Sequence, residues 1–120
     1  MDDLKLGVVE SRFAEIIWCN APLHSRDLVR LCQEELNWKK PTTYTVLRKL
    51  CERGIFRNVD GIVSVVNSRE DFFARQSEQF VQETFQGSLP AFLAAFSSRK
   101  VLSREEVAEI RKMIESYEGE

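Results

Sequence analysis

Apolar residues recur at helical spacing along most of this chain. Between Val8 and Trp18, the positions Val9, Phe13, Ile16 and Ile17 fall at i, i+4, i+7 and i+8, which predicts one buried stripe of an α-helix. Gly7 stands at the N-cap position with Glu10 three residues on, a weakened capping box, and Asn20, Ala21 and Pro22 end the segment. A second helix is predicted from about Ser25 to Leu36, with Leu28, Leu31, Cys32 and Leu36 on one face. His24 and Asp27 stand in cap spacing at its start. Imidazole is a poor cap, so Ser25 is the alternative.

The third helix opens on Lys39, Lys40 and Pro41, where proline suits a first turn, and closes before Gly54, a natural residue just past a helix end. At about 100° per residue, Thr43, Val46, Leu47 and Leu50 point one way, while Pro41, Thr45, Arg48 and Glu52 point the other. Thr42, Tyr44 and Lys49 flank that outer face. Phe56 to Val59 and Ile62 to Val66 are β-branched or aromatic runs separated by Asp60-Gly61, the signal of a two-residue hairpin. Three helices followed by a hairpin predict a winged helix-turn-helix over residues 1–66, although the order alone admits other small α+β domains.

After Asn67 the pattern changes. Ser68 and Asp71 are spaced to cap a helix carrying Phe72, Phe73, Phe80, Val81 and Phe85, which stops near Gly87. Ser88 to Phe96 reads as a short apolar helix. Ser103 and Glu106 make a capping box for a last one, in which Val107, Ile110, Met113, Ile114 and Tyr117 repeat close to coiled-coil spacing. Residues 67–120 thus form a helical arm of three segments. Its apolar stripes exceed what so short a chain buries alone, and a second copy related by two-fold symmetry is the simplest cover. The dimer contacts expected are Phe73, Phe80, Phe92, Val107, Ile110, Ile114 and Tyr117; the alternative is a monomer whose stripes fold back on the winged helix. The fold class is therefore mostly α with a small β-hairpin, a winged helix-turn-helix followed by a helical dimerisation arm.

Charge becomes informative only when divided along the chain. The net charge is -2, yet residues 39–57 carry Lys39, Lys40, Arg48, Lys49, Arg53 and Arg57 against Glu52 alone, a local surplus of +5. A cation cluster on a helix that follows a helix and a turn, with a wing behind it, is the geometry that docks a recognition helix in duplex DNA. The DNA contacts expected are Lys39, Lys40, Thr42, Tyr44, Thr45, Arg48, Lys49 and Arg57. The competing use of such a domain is as a protein-interaction module.

Other chemistry is sparse. Cys19, Cys32 and Cys51 are odd in number and lie far apart in apolar segments, which reads as core thiols rather than a disulfide framework or redox pair. His24 is the single histidine, without thiolates or a second imidazole at metal-ligand spacing. No glycine-rich loop or acid/base constellation suggests an enzyme, and neither a metal nor a cofactor is expected. The start Met-Asp-Asp has no basic leader, and apolar runs such as Ala91 to Phe96 are too short for a bilayer span, so a cytoplasmic protein without membrane insertion is expected.

These residues also resemble a known family, the penicillinase and methicillinase repressors (BlaI/MecI/CopY type). The likeness runs from Glu10 and Ile16-Ile17-Trp18 through Thr42-Thr43-Tyr44-Thr45-Val46-Leu47-Arg48-Lys49-Leu50 to Arg53-Gly54-Ile55 and Asn67-Ser68-Arg69-Glu70-Asp71-Phe72. It continues in Phe85-Gln86-Gly87-Ser88-Leu89 and Leu102-Ser103-Arg104-Glu105-Glu106. The resemblance implies that the third helix enters the major groove of a palindromic operator, that the wing touches the backbone, and that the arm dimerises. It also implies a membrane-bound β-lactam sensor protease upstream, cutting within the middle helix of the arm at the bond matching Ala95-Phe96. The chain departs from the family in three places. Its wing is short and keeps only Arg57 at its base. Tyr44 and Pro41 replace residues that are usually basic and polar, so the family's operator does not carry over. The end of the chain lacks the cysteine cluster of the copper-responsive branch.

Overall fold

The computed structural model describes residues 5–117. In chain order they form α1 (Val8–Asn20), β1 (Leu23–His24), α2 (Ser25–Leu36), α3 (Lys40–Glu52), β2 (Phe56–Val59), β3 (Ile62–Val65), α4 (Arg69–Phe85), α5 (Leu89–Arg99) and α6 (Arg104–Glu115). The chain divides into two compact units, with the division between Gln79 and Phe80, inside α4.

The first unit is built on the stripes that the spacing predicts. Phe13 and Ile17 of α1, Leu28 and Cys32 of α2, Leu47 and Leu50 of α3, and Phe56 and Val63 of the sheet are buried together, with Trp38 stacked on Phe13 at 5.3 Å between ring centroids. Val9 is the exception on α1: it stays 49% exposed, because the first turn runs past the covering elements and burial begins only at Phe13. Glu10 supplies half of the expected capping box, its carboxylate accepting the Gly7 N–H at 3.2 Å. Glycine has no side chain for the other half.

At α2 the cap is His24 and not Ser25. His24 Nδ1 accepts the Arg26 N–H at 3.2 Å, while Ser25 lies inside the helix, buried, with its hydroxyl turned to α3. Helix α3 has Lys39 as N-cap and Pro41 in its first turn. It closes with two reversed bonds, Gly54 N–H to Cys51 O at 3.0 Å and Ile55 N–H to Leu50 O at 3.1 Å. This Schellman arrangement needs a left-handed residue, which Gly54 provides at φ 80. Buried Ile55 and Leu50 supply its apolar clamp.

The hairpin pairs Phe56 with Val65 and Val59 with Ile62. Asp60 and Gly61 both have positive φ, 51 and 81, as a type I′ turn demands. A third strand, β1, joins on the other side of β3 and gives the order β1-β3-β2. With two residues it is too short to show any period.

Trp18 fastens the start of α4 to this unit. Its indole Nε1–H donates to Asn67 O at 2.9 Å, and its ring lies 5.6 Å from Phe56, 5.7 Å from Phe72 and 5.9 Å from Phe73. Phe72 is fully buried, and the Ser68 hydroxyl caps α4 through the Asp71 N–H at 3.0 Å. Arg69 bonds both oxygens of Glu15 and sits 6.0 Å over the Trp18 ring, and this pairing holds the Glu15 carboxyl below its ordinary pKa.

The second unit is held by rings and caps. Phe80 and Phe85 meet at 5.9 Å, Phe85 and Phe92 at 5.7 Å, and Phe92 and Phe96 at 6.1 Å. Ser88 caps α5 through the Ala91 N–H at 3.1 Å. Ser103 and Glu106 exchange both bonds of a capping box at 3.0 and 3.1 Å. Neither α5 nor α6 has a buried residue. The apolar spacing runs on to Tyr117, but α6 stops at Glu115, where Ser116 turns its hydroxyl back to Met113 O and caps the end.

Replacing Trp18 with Phe keeps an aromatic ring but strands the Asn67 carbonyl. It should cost about 1–2 kcal/mol in urea unfolding, the worth of one part-buried hydrogen bond.

Candidate nucleic-acid interface

The outer surface of α3 follows from its core register. With Thr43, Leu47 and Leu50 buried, Pro41, Thr42, Thr45, Arg48, Lys49 and Glu52 must stand in solvent, and all are exposed. Lys39 and Lys40 precede or begin the helix and are exposed too. Arg57 projects from β2 opposite Ser64, on the face shared by Val59 and Ile62.

The six cations of residues 39–57 separate into two groups. Glu10 on α1 takes Lys49, at 3.5 Å, and Arg53, at 4.0 Å. Arg53 also reaches the Lys5 backbone carbonyl. Among the described residues Lys39, Lys40, Arg48 and Arg57 have no carboxylate within ion-pair distance. One carboxylate of α1 therefore pairs with two of the cations, and the other four are left to an outside polyanion.

Tyr44 is only partly exposed. Its ring packs on the core and its hydroxyl donates to Ser25 Oγ at 3.0 Å, which ties α3 to the start of α2. Local periodicity could not reveal this bond, because its partners are 19 residues apart. The same holds for Glu10: its cap spacing was legible, but its capture of Lys49 and Arg53 depends on how α1 crosses α3.

The cysteines differ from the expectation of three core thiols. Cys32 is buried, Cys51 half-buried and Cys19 exposed, one turn from Glu15 and 3.5 Å from Arg69 Nη2. Burial pushes the Cys32 thiol up to about 11 against a smaller opposite pull from the Thr43 hydroxyl, and burial also raises Cys51. Both are thiols, not thiolates, near neutral pH. No cluster of three or more His, Cys, Asp or Glu residues suited to a metal ion occurs among the described residues, nor does a helix long and apolar enough to cross a membrane.

In the second unit, Val107, Ile110 and Ile114 of α6 line a groove of about 410 Å³ with Leu93 and Leu102. Ile114 is 63% and Tyr117 75% exposed. Phe80 is half exposed, while Phe92 is the centre of the ring cluster. Phe73, in the first unit, is exposed on one side and packed on Trp18 on the other. Ala95 and Phe96 lie within α5, both exposed.

Comparison with known proteins bears on this arrangement. The family model described as Penicillinase repressor matches residues 6–116. The chain is 21% identical over 119 residues to the penicillinase repressor of Bacillus licheniformis, an alignment covering 96% of this chain and 93% of that one. It is 22% identical over 114 residues to the methicillin resistance regulatory protein MecI of Staphylococcus aureus (strain Mu50 / ATCC 700699), covering 92% and 93%.

Proposed function

Because the chain belongs to the penicillinase repressor family, whose members are transcriptional repressors, we propose that it acts in the cytoplasm as a homodimer that reads a palindromic operator with α3. The observation that carries this reading is the set of four cations, Lys39, Lys40, Arg48 and Arg57, left without carboxylate partners among the described residues around the outer face of α3 and the base of the wing. Residues 1–66 serve as the DNA-binding domain and residues 67–120 as the dimerisation region.

The contacts divide by chemistry. Thr42, Thr45 and Arg48 stand where they meet base edges, and an arginine there grips guanine O6 and N7 with two parallel bonds. Lys39, Lys40 and Arg57 meet phosphates, which position the protein without reading sequence. Lys49 reaches a phosphate by exchanging Glu10 for it. Tyr44 contributes mainly by holding α3 to α2. The two recognition helices should enter successive major grooves about 10 bp apart.

Dimerisation uses the exposed apolar face of α6, with Val107, Ile110, Ile114 and Tyr117, and draws on Phe73, Phe80 and Phe92 as further contacts. Relief of repression follows cleavage of the Ala95-Phe96 bond by a membrane-bound sensor protease that responds to β-lactam or cell-wall stress.

Three experiments test these parts separately. In titrations of selected and scrambled duplexes at several salt concentrations, Arg48→Ala should lose about 1–3 kcal/mol of discrimination at one base pair per half-site. Lys40→Ala should weaken all duplexes alike and flatten the salt slope by roughly one unit for each phosphate it no longer neutralises. The absence of salt-dependent duplex binding would favour a protein-interaction module. Sedimentation at micromolar concentration should show a dimer that Ile110→Asp converts to monomers, by burying an unpaired charge in the seam; a monomeric wild type would remove the dimer. Co-expression with a β-lactam-induced sensor protease, followed by mass spectrometry, should yield fragments ending at Ala95 and starting at Phe96. An intact chain or a different cut would remove the cleavage site.

A further inference from the structure

His24 stands at a junction that base reading leaves unexplained. Its Nδ1 accepts the Arg26 N–H at 3.2 Å and so caps α2. Its ring lies against the hairpin turn so closely that a Cβ on Gly61 would fall 2.9 Å from Nε2. The backbone is tied to the same turn: His24 pairs with Ile62, and the Ser25 N–H donates to Gly61 O at 2.7 Å. Ser25 Oγ in turn receives the Tyr44 hydroxyl of α3. The cap of α2, the wing turn and the anchor of α3 are thus contiguous through two residues.

A capping atom must accept. Nδ1 can do so only with its lone pair in place, which requires a neutral ring with the proton on Nε2. A second proton would turn Nδ1 into a donor facing the Arg26 N–H, and would add positive charge where the helix dipole is already positive. The charged groups on the elements packed around the ring are Arg26 and Asp27 at the start of α2 and Asp60 in the hairpin turn, all exposed. On β3 the partner Ile62 is apolar, and Tyr44 of α3 reaches only Ser25.

We propose that His24 is a positioning residue for DNA binding: its neutral form holds the wing turn and α2 in register with α3, and duplex affinity falls when the ring gains a proton. This rests on the docking of α3 proposed above. The sign is diagnostic, because a histidine touching phosphate would strengthen binding as it became charged.

The probe is a duplex selected by the full-length protein from a random-sequence pool at about pH 8, with affinity followed by fluorescence anisotropy down to about pH 5.5. Ionic strength is held constant throughout. The wild type should lose about tenfold more affinity over that range than His24→Asn, since asparagine caps without titrating. Parallel profiles, or a His24-dependent gain of affinity in acid, would overturn the proposal. Nitrogen-15 NMR of the single histidine decides the matter even if the variant fails to fold. The Nε2–H tautomer is expected near pH 8, with the Arg26 amide shifting as the ring titrates; an Nδ1–H tautomer, or an Arg26 amide indifferent to the titration, would sink the idea. Absence of duplex binding at every pH would overturn both the DNA reading and this proposal, and the NMR would still report separately on the cap.

Discussion

One indole holds the first unit in register. Trp18 is the point at which α1, the sheet and the beginning of α4 meet, and its two chemistries are both in use. The ring packs among Phe56, Phe72 and Phe73, while the N–H satisfies the Asn67 carbonyl just where the chain leaves the wing. An aliphatic side chain would fill the space and leave that carbonyl unmatched; a polar one would satisfy it and leave a cavity. Arg69 closes the arrangement by lying over the ring while bonding Glu15. Phe72 is consequently part of the core of the first unit, although it belongs in sequence to the arm.

Electrostatics are arranged by position rather than by quantity. A chain with a net charge of -2 has no general attraction for a polyanion. Glu10 pairs with Lys49 and Arg53. The acidic side chains of α4 and α6, such as Glu70, Asp71, Glu105 and Glu106, occupy first turns, where they favour the helix dipole. Lys39, Lys40, Arg48 and Arg57 are left as a local positive surface.

Much of this was legible in the residue pattern, because helical stripes and caps are local and strong. The periods of residues 8–18, 25–36 and 41–52, the Asp60-Gly61 turn, and the Ser68 and Ser103 caps all correspond to observed features. What could not be read depends on tertiary position. Val9 fits the stripe of α1, but its side chain in the first turn stays half exposed. Cys19 is apolar in its surroundings along the chain yet lies on the outside of α1. The two residues of β1 have no period, and His24 caps α2 because the wing turn holds its ring in place. Tyr44 was legible as a residue near the outer face of α3, and its bond to a serine on another helix was not. On α6 the heptad spacing reaches Tyr117, whereas a serine that caps its own helix ends the element sooner.

The reversed hydrogen bonds at Gly54 and Ile55 have a mechanical consequence. Three residues, Arg53 to Ile55, separate α3 from β2, and the two bonds together with the burial of Ile55 immobilise all of them. Helix α3 and the hairpin are therefore a single stiff part with no slack between them, and little conformational entropy remains to be lost there on association. In the docking proposed for α3, adjustment to an imperfect site would have to come from the duplex, so the stiffness of the DNA at base pairs the protein never touches would become a term in its selectivity.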